Sequence, residues 1–442
     1  MIEDLFDALG PRVAAEMGAR RERVTPVLIT GSPDEAAAEF AQQARTLCGN
    51  EGRVAVLQDA RTALAAGHLC VQALGEVGLP PHAHTLSDAD GHGPVCDDLT
   101  KQHLLAALPA FDLLVGVGSG VISDLAKWVA YERDRPAAVF ATAASMNGYT
   151  AANVAPSIDG VKSLFVARAH RVVATSPEIL ARAPKRMTTA GLGDVIAKWV
   201  STADWRMNQL LFGEPYSGAV ASIIDEVERI YLERPEAIAA GDARAVSGVF
   251  RALVFSGCAM TLQGSSLPAS GGEHLISHAL DMRAHAEGVS HDLHGRQVGV
   301  ATLFVAALYQ YVLELAAPSW VTGPLPLDRT GWGVLADAVA PHHDKQGRRM
   351  AAACEQLRDP AVWERLRSTL APTLPAPERI KHVLKEANAA HRIDHLGIDR
   401  DRFVWAVLNG AQMRERFTSL DLAWAAGVLP DAVDEIVDTW LL

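Results

Sequence analysis

Between about residues 25 and 180, short uninterrupted apolar runs alternate with segments of helical spacing, and this pattern constrains the fold more than any other feature of the chain. Val27-Leu28-Ile29-Thr30, Val54-Ala55-Val56-Leu57, Leu113-Leu114-Val115-Gly116-Val117, Ala137-Ala138-Val139-Phe140 and Val172-Val173-Ala174 read as strands. They show no polar alternation, so both of their faces must be covered, as in a parallel sheet. The stretches between them, such as Asp34 to Leu47 and Arg61 to Val77, have the length and spacing of helices, which predicts a βα-alternating layer. Past Pro184 the strand signal ends. Residues 190–210, 215–232, 243–262 and 297–316 are rich in Ala, Leu and Val at helical spacing, with Gly/Pro-bearing connections at 317–330 and 371–377. The expected architecture is an α/β N-terminal domain over residues 1–182, followed by an all-α C-terminal domain over residues 183–442.

Composition removes several classes of partner. The net charge of −12 argues against a nucleic-acid backbone, though not against a small anion in a locally positive pocket. The cysteines are five in number, without CxxC spacing, which fits a reduced cytoplasm and neither a disulfide framework nor a zinc knuckle. The opening MIEDLFDALG carries acids where a signal peptide needs a basic start, and no run of about 18 apolar residues suggests a membrane span. A cytoplasmic enzyme is the expectation.

Three places can carry chemistry. Gly118-Ser119-Gly120 follows the strand at 113–117 and opens a helical stretch from Val121 to Tyr131, so free backbone N–H groups and a positive dipole end could meet a diphosphate. The third glycine of a GxGxxG fingerprint is missing, and a plain strand-to-helix turn explains the same residues. Thr142-Ala-Ala-Ser145-Met-Asn147-Gly148-Tyr149-Thr150 follows another strand; it is small and polar, suited either to close approach by a ligand or to a long turn with Asx chemistry at Asn147. The histidines are more telling. Of sixteen, His274, His278, His285, His291 and His294 fall within one short stretch, with His274 and His278 on one helix face. Gly191-Leu-Gly193-Asp194 places an acid just inside a helix read as Asp194 to Trp205. One carboxylate and two imidazoles with an open position is the composition of a catalytic divalent-metal site. Lys198, one turn further along that helix, cannot be a ligand while protonated.

Taken in order, GSGVISDLAK (118–127), TAASMNGYT (142–150), DGVK (159–162), GLGD (191–194), SGGEHLISH (270–278) and LHGRQVG (293–299) resemble the sn-glycerol-1-phosphate dehydrogenases. These belong to the iron-containing alcohol dehydrogenase and dehydroquinate synthase superfamily, and the resemblance runs from about residue 25 to 320. It implies a dehydroquinate synthase-like fold whose first domain binds a dinucleotide and whose helical domain binds metal and substrate. Gly118, Ser119 and Gly120 would then hold the diphosphate, and Thr142 and Ser145 would also touch the cofactor. Asp124 would lie near the nicotinamide end, and Asp59 would meet the adenosine ribose. The metal ligands would be Asp194, His274 and His294, with His291 competing for the third place. His278 would touch substrate and relay a proton, and Lys162 would lie beside the substrate phosphate.

The implied activity is metal-dependent, NAD(H)-linked interconversion of dihydroxyacetone phosphate and sn-glycerol 1-phosphate, or of a closely related polyol phosphate, a reaction of phospholipid metabolism. Asp59 favours NAD(H) over NADP(H), although NADP(H) stays open. Zinc is the expected ion, with nickel or iron as alternatives, because imidazole and carboxylate discriminate weakly among them. A homodimer or higher homo-oligomer is implied as well. Two departures bear on substrate: Asn147 stands where the family usually has a substrate-contacting aspartate, and Ala151 where it has a cofactor-contacting serine. A dehydroquinate synthase-like phospho-eliminating cyclase, an iron-type dehydrogenase of a non-phosphorylated polyol and a non-catalytic binding protein are the other readings.

Overall fold

All five apolar runs become neighbouring strands of one sheet. The structure, a computed structural model, describes residues 1–88, 93–223 and 225–442. In chain order the strands are β1 (Ile2–Asp4), β2 (Val27–Thr30), β3 (Val54–Asp59), β4 (His82–Leu86), β5 (Leu113–Gly118), β6 (Ala137–Ala141), the short pieces β7 (Asn153–Val154), β8 (Ser157–Ile158), β9 (Val161–Lys162) and β10 (Phe165–Val166), and β11 (Val172–Thr175). The seven-stranded sheet has the order β1-β2-β11-β6-β5-β3-β4. Its strands are parallel except β1, which runs antiparallel on the edge of β2.

Both faces are covered, as the unbroken apolarity requires. Val54 and Val56 point into a core with Phe40, Leu74, Val115 and Phe140, while Ala55 and Leu57 point into another with Leu104, Leu114, Leu125 and Val129. Each of the Val, Leu and Phe side chains is worth about 1.5–3 kcal/mol when fully buried. The two strands of this sheet that the apolar pattern misses, β1 and β4, are its edges. Their residues are largely exposed, so no continuous apolar run was needed to make them.

The chain order places a topological switch between β3 and β5. From β3 the chain moves outward to β4 and then crosses back to β5 on the other side. Ligands of open α/β sheets bind beyond the carboxyl ends of the strands at such a point. Leu57 pairs with Gly116, and two residues further on the strands end at Asp59 and Gly118.

The crossover from β6 to β11 is irregular. It contains two small antiparallel hairpins, β7 with β10 and β8 with β9. The second closes on Asp159-Gly160, both at positive φ (47° and 78°), the requirement of a two-residue type I′ turn.

The molecule divides into two compact units, Met1–Gly191 with Ala219–Ser265, and Leu192–Gly218 with Ser266–Leu442. A single boundary at 182/183 does not anticipate the return of 219–265 to the first unit. The reason lies in the Ala243–Gln263 helix, which carries the crossover. Thr150 Oγ1 donates to Val254 O (2.5 Å), Thr261 Oγ1 donates to Thr150 O (2.8 Å), and Ala152 N–H donates to Thr261 Oγ1 (2.9 Å). This helix is the one among the described residues long and apolar enough to cross a membrane, and 89% of its most apolar stretch is buried inside the protein.

The helix expected from Asp194 to Trp205 is two helices, Lys185–Ile196 and Lys198–Phe212. Asp194 therefore sits in the last turn of the first, and Lys198 opens the second instead of continuing its face. The stretch expected as one helix at 215–232 is also split, into Gly218–Ala221 and Asp225–Leu232, with Ile224 outside the described residues.

Gly257 lets the crossover approach the Ala243–Gln263 helix. A Cβ there would meet Thr150 Oγ1 and the Asn147 carbonyl. Gly257→Ala should cost about 1–3 kcal/mol of stability, as other overpacked contacts do. The check is denaturant unfolding, in which a midpoint equal to the parent would contradict this close packing.

Candidate metal and dinucleotide sites

The second unit brings three of the sequence candidates together. Among the described residues, Asp194, His274 and His294 offer ligand atoms that all lie within 4.8 Å of one another. Glycines make this approach feasible. A Cβ on Gly193 would meet the Gly295 carbonyl and the Gly299 Cα, so the end of the Lys185–Ile196 helix lies against the start of the His294–Leu313 helix. His274 comes from the first turn of the Gly272–Glu287 helix.

Hydrogen bonds choose the ring nitrogens. His274 Nδ1 donates to Glu273 Oε1 at 2.7 Å, which turns Nε2 toward Asp194 Oδ1 at 3.4 Å. Ser277 Oγ gives its proton to Gln297 Oε1 (2.7 Å) and lies 2.9 Å from His294 Nδ1, so it accepts from that nitrogen. With Nδ1 engaged in this way, Nε2 is the ring atom through which each imidazole would meet a cation, in the arrangement by which outer groups orient metal-bound histidines. Burial lowers the His274 pKa, but its hydrogen bonds to Asp194 and Glu273 outweigh that and hold it up at about 9. The pocket rewards positive charge between these carboxylates, and a divalent ion meets that demand while leaving the imidazole neutral. The donor set fits a divalent metal.

Glu273 is fully buried and also accepts from Gly271 N–H (2.8 Å). Nearby Asp204 accepts from Gly272 N–H, Ser419 N–H and Tyr309 OH. Burial, then the Glu273 carboxylate, raise Asp204 to about 8. His278 stacks on the His294 ring at 5.3 Å between centroids. The competing His291 is drawn instead to Asp281 (3.0 Å), with its side chain half exposed.

The first unit holds the dinucleotide candidates. Gly118 is required by packing, since a Cβ would stand 2.7 Å from Ile122 Cβ. Ser119 is the N-cap of the Gly120–Glu132 helix yet makes no side-chain cap. Its hydroxyl bonds instead to Ser145 and to the buried Tyr149, whose OH also reaches the Ala143 carbonyl (2.6 Å). Burial pushes Tyr149 up to about 12, so it remains a protonated donor. The helix start therefore keeps first-turn N–H groups for an anion, with Thr142 and Ser145 on the neighbouring segment, and these residues fit a dinucleotide diphosphate.

Asp59 closes β3, but its carboxylate is already engaged. Oδ1 accepts from Thr62 N–H (2.8 Å) and Oδ2 pairs with Arg61 (3.0 Å), which also bridges to Asp88 (2.7 Å). Asp124 pairs with Lys127 (3.0 Å) and accepts from Ala155 N–H (3.2 Å). Asn147 lies on the segment after β6, and Lys162 closes β9. Glu273, Ser277, Gln297, Tyr149 and Arg61 were not picked out from sequence. An acid directly before a ligand histidine, and a base two residues after a strand-ending acid, were the available signals for Glu273 and Arg61.

A sheet with its glycine turn at a switch point, joined to a helical unit, is the fold of the iron-containing alcohol dehydrogenase class. The family model described as iron-containing alcohol dehydrogenase matches residues 35–184. A probable glycerol dehydrogenase from Sinorhizobium meliloti superposes with a TM-score of 0.59 at 18% identity, over 93% of this chain and 97% of that one. Glycerol dehydrogenase from Schizosaccharomyces pombe gives 0.60 at 16% identity, over 93% and 90%. Within this class the chain belongs to the glycerol-1-phosphate dehydrogenase family. It is 31% identical over 378 residues to glycerol-1-phosphate dehydrogenase (NAD(P)+) of Geobacillus stearothermophilus, covering 83% of this chain and 85% of that protein. The corresponding protein of Geobacillus thermodenitrificans is 30% identical, over 78% and 80%.

If Glu273 sets the His274 tautomer, Glu273→Gln should weaken metal affinity about 10–100-fold, while His274→Ala should abolish binding. Competition titration against a chromophoric chelator reads both. Full metal occupancy in His274→Ala would remove this residue from the ligand set.

Proposed function

We propose that this protein is a metal-dependent, NAD(P)-linked oxidoreductase that interconverts dihydroxyacetone phosphate and sn-glycerol 1-phosphate. One observation carries the reading: in a chain of this family, Asp194, His274 and His294 converge with both imidazoles oriented through Nδ1 by buried partners. When bound, a divalent ion supplies Lewis-acid polarisation of a substrate oxygen and the dinucleotide supplies the hydride.

The protein's own groups do the rest. Asp194, His274 and His294 hold the ion, with zinc favoured over nickel or iron. His278, stacked on His294, passes a proton to or from the substrate oxygen. Lys162 meets the substrate phosphate as a point charge. Asn147 can donate as well as accept a hydrogen bond toward a substrate hydroxyl, and it carries no charge to oppose the phosphate. Gly118, Ser119, Gly120, Thr142 and Ser145 hold the dinucleotide, with Asp124 toward its nicotinamide end.

The test is oxidation of NADH and NADPH by the metal-loaded protein. Dihydroxyacetone phosphate should be reduced, with sn-glycerol 1-phosphate as the product enantiomer, and free dihydroxyacetone should be a poor substrate. Chelation should abolish turnover and zinc should restore it. Equal rates with free dihydroxyacetone would favour a non-phosphorylated polyol, while phosphate release from a sugar acid without net NADH change would favour the cyclase.

Cofactor preference follows from Asp59 and its neighbour. Asp59 repels a 2′-phosphate, whereas the Arg61 guanidinium beside it offers a countercharge. Asp59→Ser should raise kcat/KM for NADPH relative to NADH, and Arg61→Ser should lower that ratio, each by about tenfold, or about 1.4 kcal/mol. Unchanged ratios in both variants would place the ribose elsewhere.

A further inference from the structure

The geometry points to Lys127 as the residue that positions the Asn147–Asn153 segment, an inference that rests on the reading of Asn147 as a substrate contact. Lys127 lies on the Gly120–Glu132 helix and its side chain is wholly buried. An ammonium has three N–H donors and no acceptor. Here it meets the Gly148 carbonyl at 2.6 Å, the Asn153 carbonyl at 2.7 Å and Asp124 Oδ1 at 3.0 Å, with the Ala151 carbonyl at 3.3 Å. Three carbonyls from six consecutive residues turn toward one cation. Those residues have little regular structure to fix them, apart from the two-residue β7, so the positive charge replaces a strand ladder as their organiser.

A charge of this kind is retained in a protein interior only when its donors are fully used, and Lys127 uses them on this segment. Its neighbours on the helix hold the same crossover. Asp124 accepts from Ala155 N–H, and Trp128 stacks on Phe165 at 5.6 Å. The opposite wall is Thr261, bonded to Thr150 O and Ala152 N. The backbone that sets the direction of Asn147 is thus clamped from the helix whose N-terminus forms the proposed diphosphate cradle. Lys127 acts through that backbone and touches neither substrate nor dinucleotide.

The test uses the metal-loaded holoenzyme with NADH. Lys127→Met keeps the stem and removes the charge; Lys127→Arg keeps the charge but replaces the three-way donor with a planar fork. In Lys127→Met, amides of 148–154 should exchange at least about tenfold faster while those of β5 stay at parental rates. KM for dihydroxyacetone phosphate should rise at least about tenfold, with the NADH Kd within about threefold of the parent. Lys127→Arg should give an intermediate KM, and it carries the test alone if Lys127→Met does not fold. Parental exchange at 148–154 in a folded variant, or acceleration spread evenly over the first unit, overturns the inference. Faster local exchange with an unchanged KM keeps the clamp and overturns Asn147 as a substrate contact.

Discussion

The structure of the candidate metal centre depends on one buried imidazole held between two carboxylates. His274 uses Nδ1 on Glu273 and turns Nε2 to Asp194, and the shell behind Glu273 is closed by Gly271 N–H and the Asp204 network. Burying a carboxylate without partners is costly, and Glu273 offsets that cost through Oε1, which meets the ring and the amide, while Oε2 is buried without a hydrogen-bond partner. The same bond that engages Glu273 Oε1 also fixes which ring nitrogen faces Asp194. Stability and ligand chemistry are therefore one requirement at this position.

Small residues set the distances on which that requirement rests. Gly193 against Gly295 and Gly299 brings two helices to backbone contact, and this approach puts Asp194 near His294. In the first unit Gly118 against Ile122 does the same for strand and helix, leaving Ser119 free to join Ser145 and Tyr149. In both units glycine acts by what it lets approach, and the chemistry belongs to neighbours that have side chains.

The parallel sheet was legible because burial on both faces leaves an unbroken apolar signature, as in Leu113–Val117. β4 was not legible, because an edge strand with His82, His84 and Thr85 carries no such signature. The helix break at Ala197 has neither glycine nor proline to mark it, so the sequence puts Asp194 at the start of a helix although it lies near the end of one. The glycine turn, the histidine cluster and their order could be read. The partners that orient them could not, because Glu273 looks like an ordinary first-turn acid and the carbonyls that meet Lys127 have no residue type at all. Long-range pairing to backbone leaves almost no trace in sequence.

The return of residues 219–265 to the first unit has a consequence for how the chain acquires its structure. The sheet is complete in sequence by Thr175, but the helix that holds Thr150 and Ala152 ends at Gln263. On a growing polypeptide the strands can assemble early, whereas the crossover lacks that wall until the chain has left the first unit and come back. Closing so long a loop costs entropy, but that cost grows only slowly with its length, so the delay is one of order rather than of stability. A nascent chain would therefore carry a finished sheet before its Asn147 segment had its second wall.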